Sequence, residues 1–187
     1  HILKKLNAKP VSIHLPIGAE DEFTGVIDLI GMKAYSWDAE SLGTRIEEIP
    51  IPEDMLEIVE EHRMKLIEGA AEESEELLGK FIEDHNSITQ EEIIAALRKA
   101  TLENRITPVL CGSSLHNIGV HKLIDAVIHF LPSPMDMPAV EGVNSFTGKT
   151  EERNPSEEEP FAALAFKIAT DPFVGKIAYF RVYSGRV

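Results

Sequence analysis

ITPVLCGSSLHNIGVHKLIDAVIHFL, residues 106 to 131, is the stretch on which the fold turns. Ile106 to Cys111 is a short apolar run, which predicts a buried strand, and Gly112-Ser113-Ser114 is turn chemistry. Val120, Leu123, Ile124, Val127 and Leu131 then recur at three- and four-residue spacing, which predicts a helix with that face buried. A strand, a tight turn and an amphipathic helix in this order form one unit of an α/β sheet.

Outward from that unit toward the C-terminus, LPSPMDMP ends the helix with three prolines, and residues 139 to 160 have the Pro, Gly and acidic composition of a linker. Beyond it, FAALAFKIAT and KIAYFRVYSGRV alternate as strands around Asp171-Pro172, the opening of a sheet that two strands do not close. Toward the N-terminus, residues 1 to 8 read as the tail of a helix stopped by Lys9-Pro10. VSIHLPIG and GVIDLIGMKAYSW read as strands joined by a polar loop, and TRIEEIPI as a third. Met55, Ile58, Val59, His62, Leu66 and Ile67 follow at helical spacing, predicting one long helix reaching Leu78. Thr89 and Glu92 have the spacing of a capping box and open a second helix carrying Ile93, Ile94 and Leu97.

At 187 residues and 43% hydrophobic content the chain can bury one ordinary core or two small ones. Its one cysteine, Cys111, leaves no intrachain disulfide framework. No apolar stretch approaches the roughly 20 residues of a membrane span and no signal-peptide pattern opens the chain, so a cytoplasmic location is expected. His1 in place of an initiator Met suggests a cropped chain. Charge is more telling: residues 36 to 104 carry nineteen acidic and six basic side chains, a net −13 out of −14. Such a segment repels phosphate backbones, which argues against direct nucleic-acid binding through it, and attracts a basic protein partner.

The chain contains no G-x-x-x-x-G-K-[ST] loop, so it offers no backbone cradle or lysine for nucleotide phosphates and no hydroxyl for magnesium. It has no Cys-x-x-Cys, His-Glu-x-x-His or Gly-x-Ser-x-Gly pattern, and no catalytic residue or metal site is expected. Cys111 reads as an inert half-core cysteine rather than a nucleophile. His121, Asp125 and His129 recur every fourth residue as two imidazoles and a carboxylate would around a metal, but opposite the apolar stripe they read as solvated surface. Glu68, Glu72 and Glu75, at i, i+4 and i+7, make one narrow acidic stripe on the expected long helix. Charge runs usually mark a wet face, yet mutual repulsion within the stripe would be relieved by a partner's positive charge.

Three stretches together resemble the elongation factor G family. Residues 9 to 38, KPVSIHLPIGAEDEFTGVIDLIGMKAYSWD, are similar to the opening of its inserted subdomain, called G-prime. Residues 107 to 138 resemble the last strand, guanine-recognition turn and closing helix of its GTPase domain, and residues 161 to 187 the first strands of the β-barrel that follows. The resemblance implies that residues 1 to 9 and 105 to 138 are the C-terminal part of a P-loop GTPase domain, residues 10 to 104 an α+β insert, 139 to 160 a linker and 161 to 187 a truncated barrel. It further implies that Gly112, Ser113, Ser114 and Leu115 form the turn that offers a backbone N–H to the guanine carbonyl, with serine at position 114 where the family usually has alanine. A plain strand-to-helix turn with serine capping the helix is compatible with the same residues.

The family's phosphate loop, switch regions and Asn-Lys-x-Asp motif would precede His1, so GTP and magnesium are expected only with the full-length protein, and this chain alone is expected to be inactive. The implied parent is a monomeric, ribosome-dependent GTPase that drives tRNA–mRNA translocation and ribosome recycling. Glu68, Glu72 and Glu75 would meet the C-terminal domain of the ribosomal stalk protein. A sister ribosomal protection GTPase is an alternative; so is an acidic protein-interaction module without nucleotide chemistry.

Overall fold

The computed structural model describes Lys5 and residues 8 to 37, 43 to 144 and 146 to 187. The chain divides into two units, His1–Leu131 and Pro132–Val187. The helix end expected over residues 1 to 8 falls largely outside the described residues.

In the first unit, β1 (Pro10–Ser12) runs parallel to β6 (Thr107–Val109), with Pro10 opposite Thr107 and Ser12 opposite Val109. The two strands lie on opposite sides of the boundary expected at residues 9 and 10, so that boundary runs through a sheet. Between them the chain builds an antiparallel meander of β2 (His14–Ile17), β3 (Gly25–Asp28), β4 (Lys33–Trp37) and β5 (Ile46–Ile49). The three strands expected from VSIHLPIG, GVIDLIGMKAYSW and TRIEEIPI are therefore five, because Ile13 leaves β1 before β2 begins and Leu29 to Met32 form the turn between β3 and β4.

The long helix expected as far as Leu78 is two helices, α1 (Leu56–Ala71) and α2 (Glu75–Asp84). Ser74 makes the break: in an extended conformation its side chain accepts the Leu77 N–H at 3.4 Å and starts a new helix, the usual competition of serine with helix interior. The capping box of α3 (Gln90–Leu102) is present as the sequence predicts, with Glu92 N–H donating to Thr89 Oγ1 at 3.3 Å and Thr89 N–H to Glu92 Oε2 at 2.9 Å.

One core joins these elements. Val11 and Ile13 from the β1 segment, Ile27 and Leu29, Leu66 and Ile67 of α1, Ile93 and Leu97 of α3, and Phe130 of α4 (Val120–Phe130) are all buried in the same cluster. For α4 the expected face is wrong. Ala126 and Phe130 are buried, whereas Leu123, Ile124 and Val127 are about half exposed at 50%, 53% and 45%. The helix is oriented by α3, from which Arg98 Nη1 donates to the terminal carbonyls of His129 at 2.8 Å and Leu131 at 3.2 Å, and helical periodicity does not encode that choice of neighbour.

In the second unit, residues 139 to 160, expected as a linker, contain an antiparallel hairpin of β7 (Val140–Val143) and β8 (Thr150–Arg153). Asn144 Oδ1 accepts the N–H groups of Phe146 and Thr147 and forms the turn, so the polar composition that read as linker is turn chemistry. A long hairpin of β9 (Ala162–Asp171) and β10 (Gly175–Ser184) follows, leaving Leu164, Phe166 and Ile168 exposed. The molecule is thus an α/β unit with an α+β insert, followed by β-strands.

Candidate functional site

β6 delivers the chain to Gly112, and α4 carries it away from Gly119. Between them Ser113 and Ile118 form an isolated antiparallel bridge, with N–H···O distances of 2.9 and 3.0 Å, that closes a four-residue loop of Ser114, Leu115, His116 and Asn117. Two glycines allow the closure. Gly119 has φ 79° and a Cβ there would lie 2.9 Å from the Cys111 carbonyl oxygen; a Cβ on Gly112 would lie 2.8 Å from that of Ile118. Gly119 is also the N-cap of α4 and no side chain caps it, so neither serine serves the capping role that a plain turn would give it.

Within the loop, Ser113 Oγ accepts the His116 N–H at 3.4 Å, while the N–H groups of Ser114 and Leu115 have no hydrogen-bond partner among the described residues. Leu115 is 88% exposed. The turn borders an open cavity of about 230 Å³ lined by Leu110 to Ser114, Ile118 to Val120 and Leu123. The structure therefore brings Gly112, Ser113 and Ser114 to one cavity wall, with Leu115 projecting outward beside them. Free backbone donors on a closed turn suit a carbonyl acceptor on a planar ligand edge. Cys111 lines the same cavity, but burial pushes its thiol up to about 11, the wrong direction for a nucleophile.

The acidic residues are arranged differently from the sequence reading. Glu68 is on α1, Glu72 is its C-cap and Glu75 begins α2, so the three do not form a stripe along one helix. Glu72 is paired with Lys9 at 2.6 Å. The neighbouring Glu73 is the structural carboxylate: its side chain is 10% exposed and takes Lys9 at 2.8 Å and Arg105 at 2.6 Å. The bond from Lys9 holds its carboxyl below the usual range. These contacts tie the α1–α2 turn to the residues preceding β1 and β6. Nothing in local sequence marks Glu73 out from Glu72, because both cations are distant in the chain.

His121, Asp125 and His129 are exposed on α4. Among the described residues no group of three His, Cys, Asp or Glu side chains is placed to hold a metal ion, and no helix is long and apolar enough to cross a membrane.

No family model matches the chain. It is 54% identical over 186 residues to elongation factor G of Amoebophilus asiaticus (strain 5a2), an alignment covering 100% of this chain and 26% of that protein. The chain thus spans about a quarter of the length of this curated relative. A crystal structure of a protein from Thermus thermophilus superposes with a TM-score of 0.74 at 26% identity, covering 99% of this chain and 24% of the other. Over essentially its whole length, in sequence and in fold, the chain is therefore similar to one part of an elongation factor G.

Proposed function

We propose that these residues act within a ribosome-dependent translational GTPase of the elongation factor G type, as the end of its GTPase domain, its insert and the start of its second domain. In that reading residues 1 to 9 and 105 to 138 complete the GTPase domain, 10 to 104 are the insert, and 161 to 187 open a barrel. The whole protein binds GTP with magnesium, works as a cytoplasmic monomer, and uses hydrolysis to promote translocation and ribosome recycling.

The carrying observation is the closed turn whose Ser114 lines a cavity, with the amides of Ser114 and Leu115 unpartnered among the described residues. Guanine carries a carbonyl acceptor where adenine carries an amino donor, so a backbone N–H directed there favours one base and disfavours the other. The turn supplies base contacts only; the chain has no phosphate loop, and phosphate and magnesium binding fall to the remainder of the protein. The 54% identity to an elongation factor G favours this family member over a ribosomal protection GTPase.

For the acidic patch we propose a role in meeting the basic C-terminal domain of the ribosomal stalk protein, with Glu68 and Glu75 as its accessible charges and Glu72 shared with Lys9. The base-recognition reading is tested in the full-length protein by Ser114→Pro, which removes one N–H, against Ser114→Ala, which keeps it. GDP affinity should fall roughly tenfold in the first and hold in the second. Equal affinity in both sinks the reading.

A further inference from the structure

A second hydrophobic cluster of the first unit lies where the insert meets this turn. Val26 of β3 and Trp37 of β4 are 0% and 7% exposed, and they pack with Ile118, which is 8% exposed and closes the turn through its bridge to Ser113. Phe23, Tyr35 and Cys111 pack against them. A second contact comes from Gly43, buried at φ 78°, where an added Cβ would lie 2.4 Å from Asn117 Cβ and 2.7 Å from the His116 carbonyl oxygen. The insert thus touches the turn at its closing residue Ile118 and at His116 and Asn117 just before it. A third link, Lys122 Nζ placed 3.7 Å over the Tyr35 ring, ties the following helix to the same sheet face.

We propose that Trp37 and Gly43 of the insert are positioning residues for the base-recognition turn and help set the preference for guanine over adenine. The inference rests on the reading above that the turn faces the base. Within the loop the Ser113–Ile118 bridge and one weak side-chain bond from His116 N–H hold the backbone. The packing of Ile118 and the close approach of Gly43 set it against the sheet. A hydrogen bond weakens steeply as distance and angle depart from the optimum. An amide displaced by even part of an ångström loses attraction for a carbonyl and gains nothing toward an amino group, so discrimination falls along with affinity.

The test uses the full-length protein carrying Trp37→Ala, Trp37→Phe, Gly43→Ala or Ser114→Pro. GDP and ADP affinities are measured by competition against a fluorescent guanine nucleotide, alongside thermal stability and hydrogen exchange of residues 113 to 118. Trp37→Ala and Gly43→Ala should lower the GDP-to-ADP affinity ratio roughly tenfold and speed exchange in the turn, and Trp37→Phe should restore most of both. A purely structural role for Trp37 would lower stability and leave the ratio at the wild-type value, overturning the proposal. If Ser114→Pro lowers the ratio while the insert variants do not, the turn reading stands and this inference fails; if Ser114→Pro leaves it unchanged, both fall. Should Trp37→Ala not fold, Gly43→Ala decides on the same ratio.

Discussion

Replacing Glu68, Glu72 and Glu75 together with glutamine separates a docking surface from a structural one. The substitutions take the 36 to 104 segment from −13 to about −10 without changing side-chain size. Two structural costs are foreseeable. The Glu72–Lys9 pair, with side chains 54% and 41% exposed, is solvent-screened and contributes about 0 to 1 kcal/mol. Glu75 lies in the first turn of α2, where a carboxylate facing the helix dipole contributes about 0.3 to 1 kcal/mol. Glu68 has no ion pair among the described residues, so the total cost is about 1 kcal/mol, enough to lower thermal stability modestly and too little to unfold the unit. Association with purified stalk C-terminal domain should slow several-fold, with a shallower dependence on salt. Glu73→Gln is the contrasting variant: it breaks contacts to both Lys9 and Arg105 at a site 10% exposed, so it should destabilise more and slow association less. If the triple variant associates at the wild-type rate with the same salt slope, the patch is only a solvated surface.

Titrating the 187-residue chain with GDP or GTP by calorimetry should give no micromolar binding, since a base turn without a phosphate cradle forgoes most of the binding energy; a micromolar isotherm would refute that account. Cys111, with its thiol pushed up to about 11, should alkylate at pH 8 on the order of a hundredfold more slowly than a free cysteine, as read by mass spectrometry; a matching rate would contradict its burial. His14 is 7% exposed with Nδ1 unpartnered, and burial lowers its pKa below 6.5, aided by Lys122 and opposed by Asp28. Below pH 6.5 the unfolded chain takes up a proton that folded His14 resists, so this contribution to stability should be lost as pH falls from about 7 to 5. Denaturant melts of wild type and His14→Gln should show a smaller loss in the variant over that window, and parallel losses would remove His14 as the cause.

Local chemistry is what the sequence carried. The strand, turn and helix of residues 106 to 131, the Thr89–Glu92 capping box and the strand character of GVIDLIGMKAYSW depend on near neighbours in the chain, and each is where the residues put it. Gly112-Ser113-Ser114 likewise signals its tight turn from residue type alone. Tertiary structure decided what periodicity leaves open. It settled which side of α4 is buried, since both Ile124 and Phe130 are apolar, lie on different sides of the helix, and are told apart only by where the neighbouring α3 packs. Ser74 splits one apparent helix in two, because a capping serine and a continuing helix compete within small free-energy differences. The same break redistributes the three glutamates, and the pairing of Glu73 with Lys9 and Arg105 brings together residues at least 32 positions apart. No pattern along the chain reports that closure, nor that Trp37 and Gly43 come to rest against residues 116 to 118, because such contacts are fixed by how whole elements share one core.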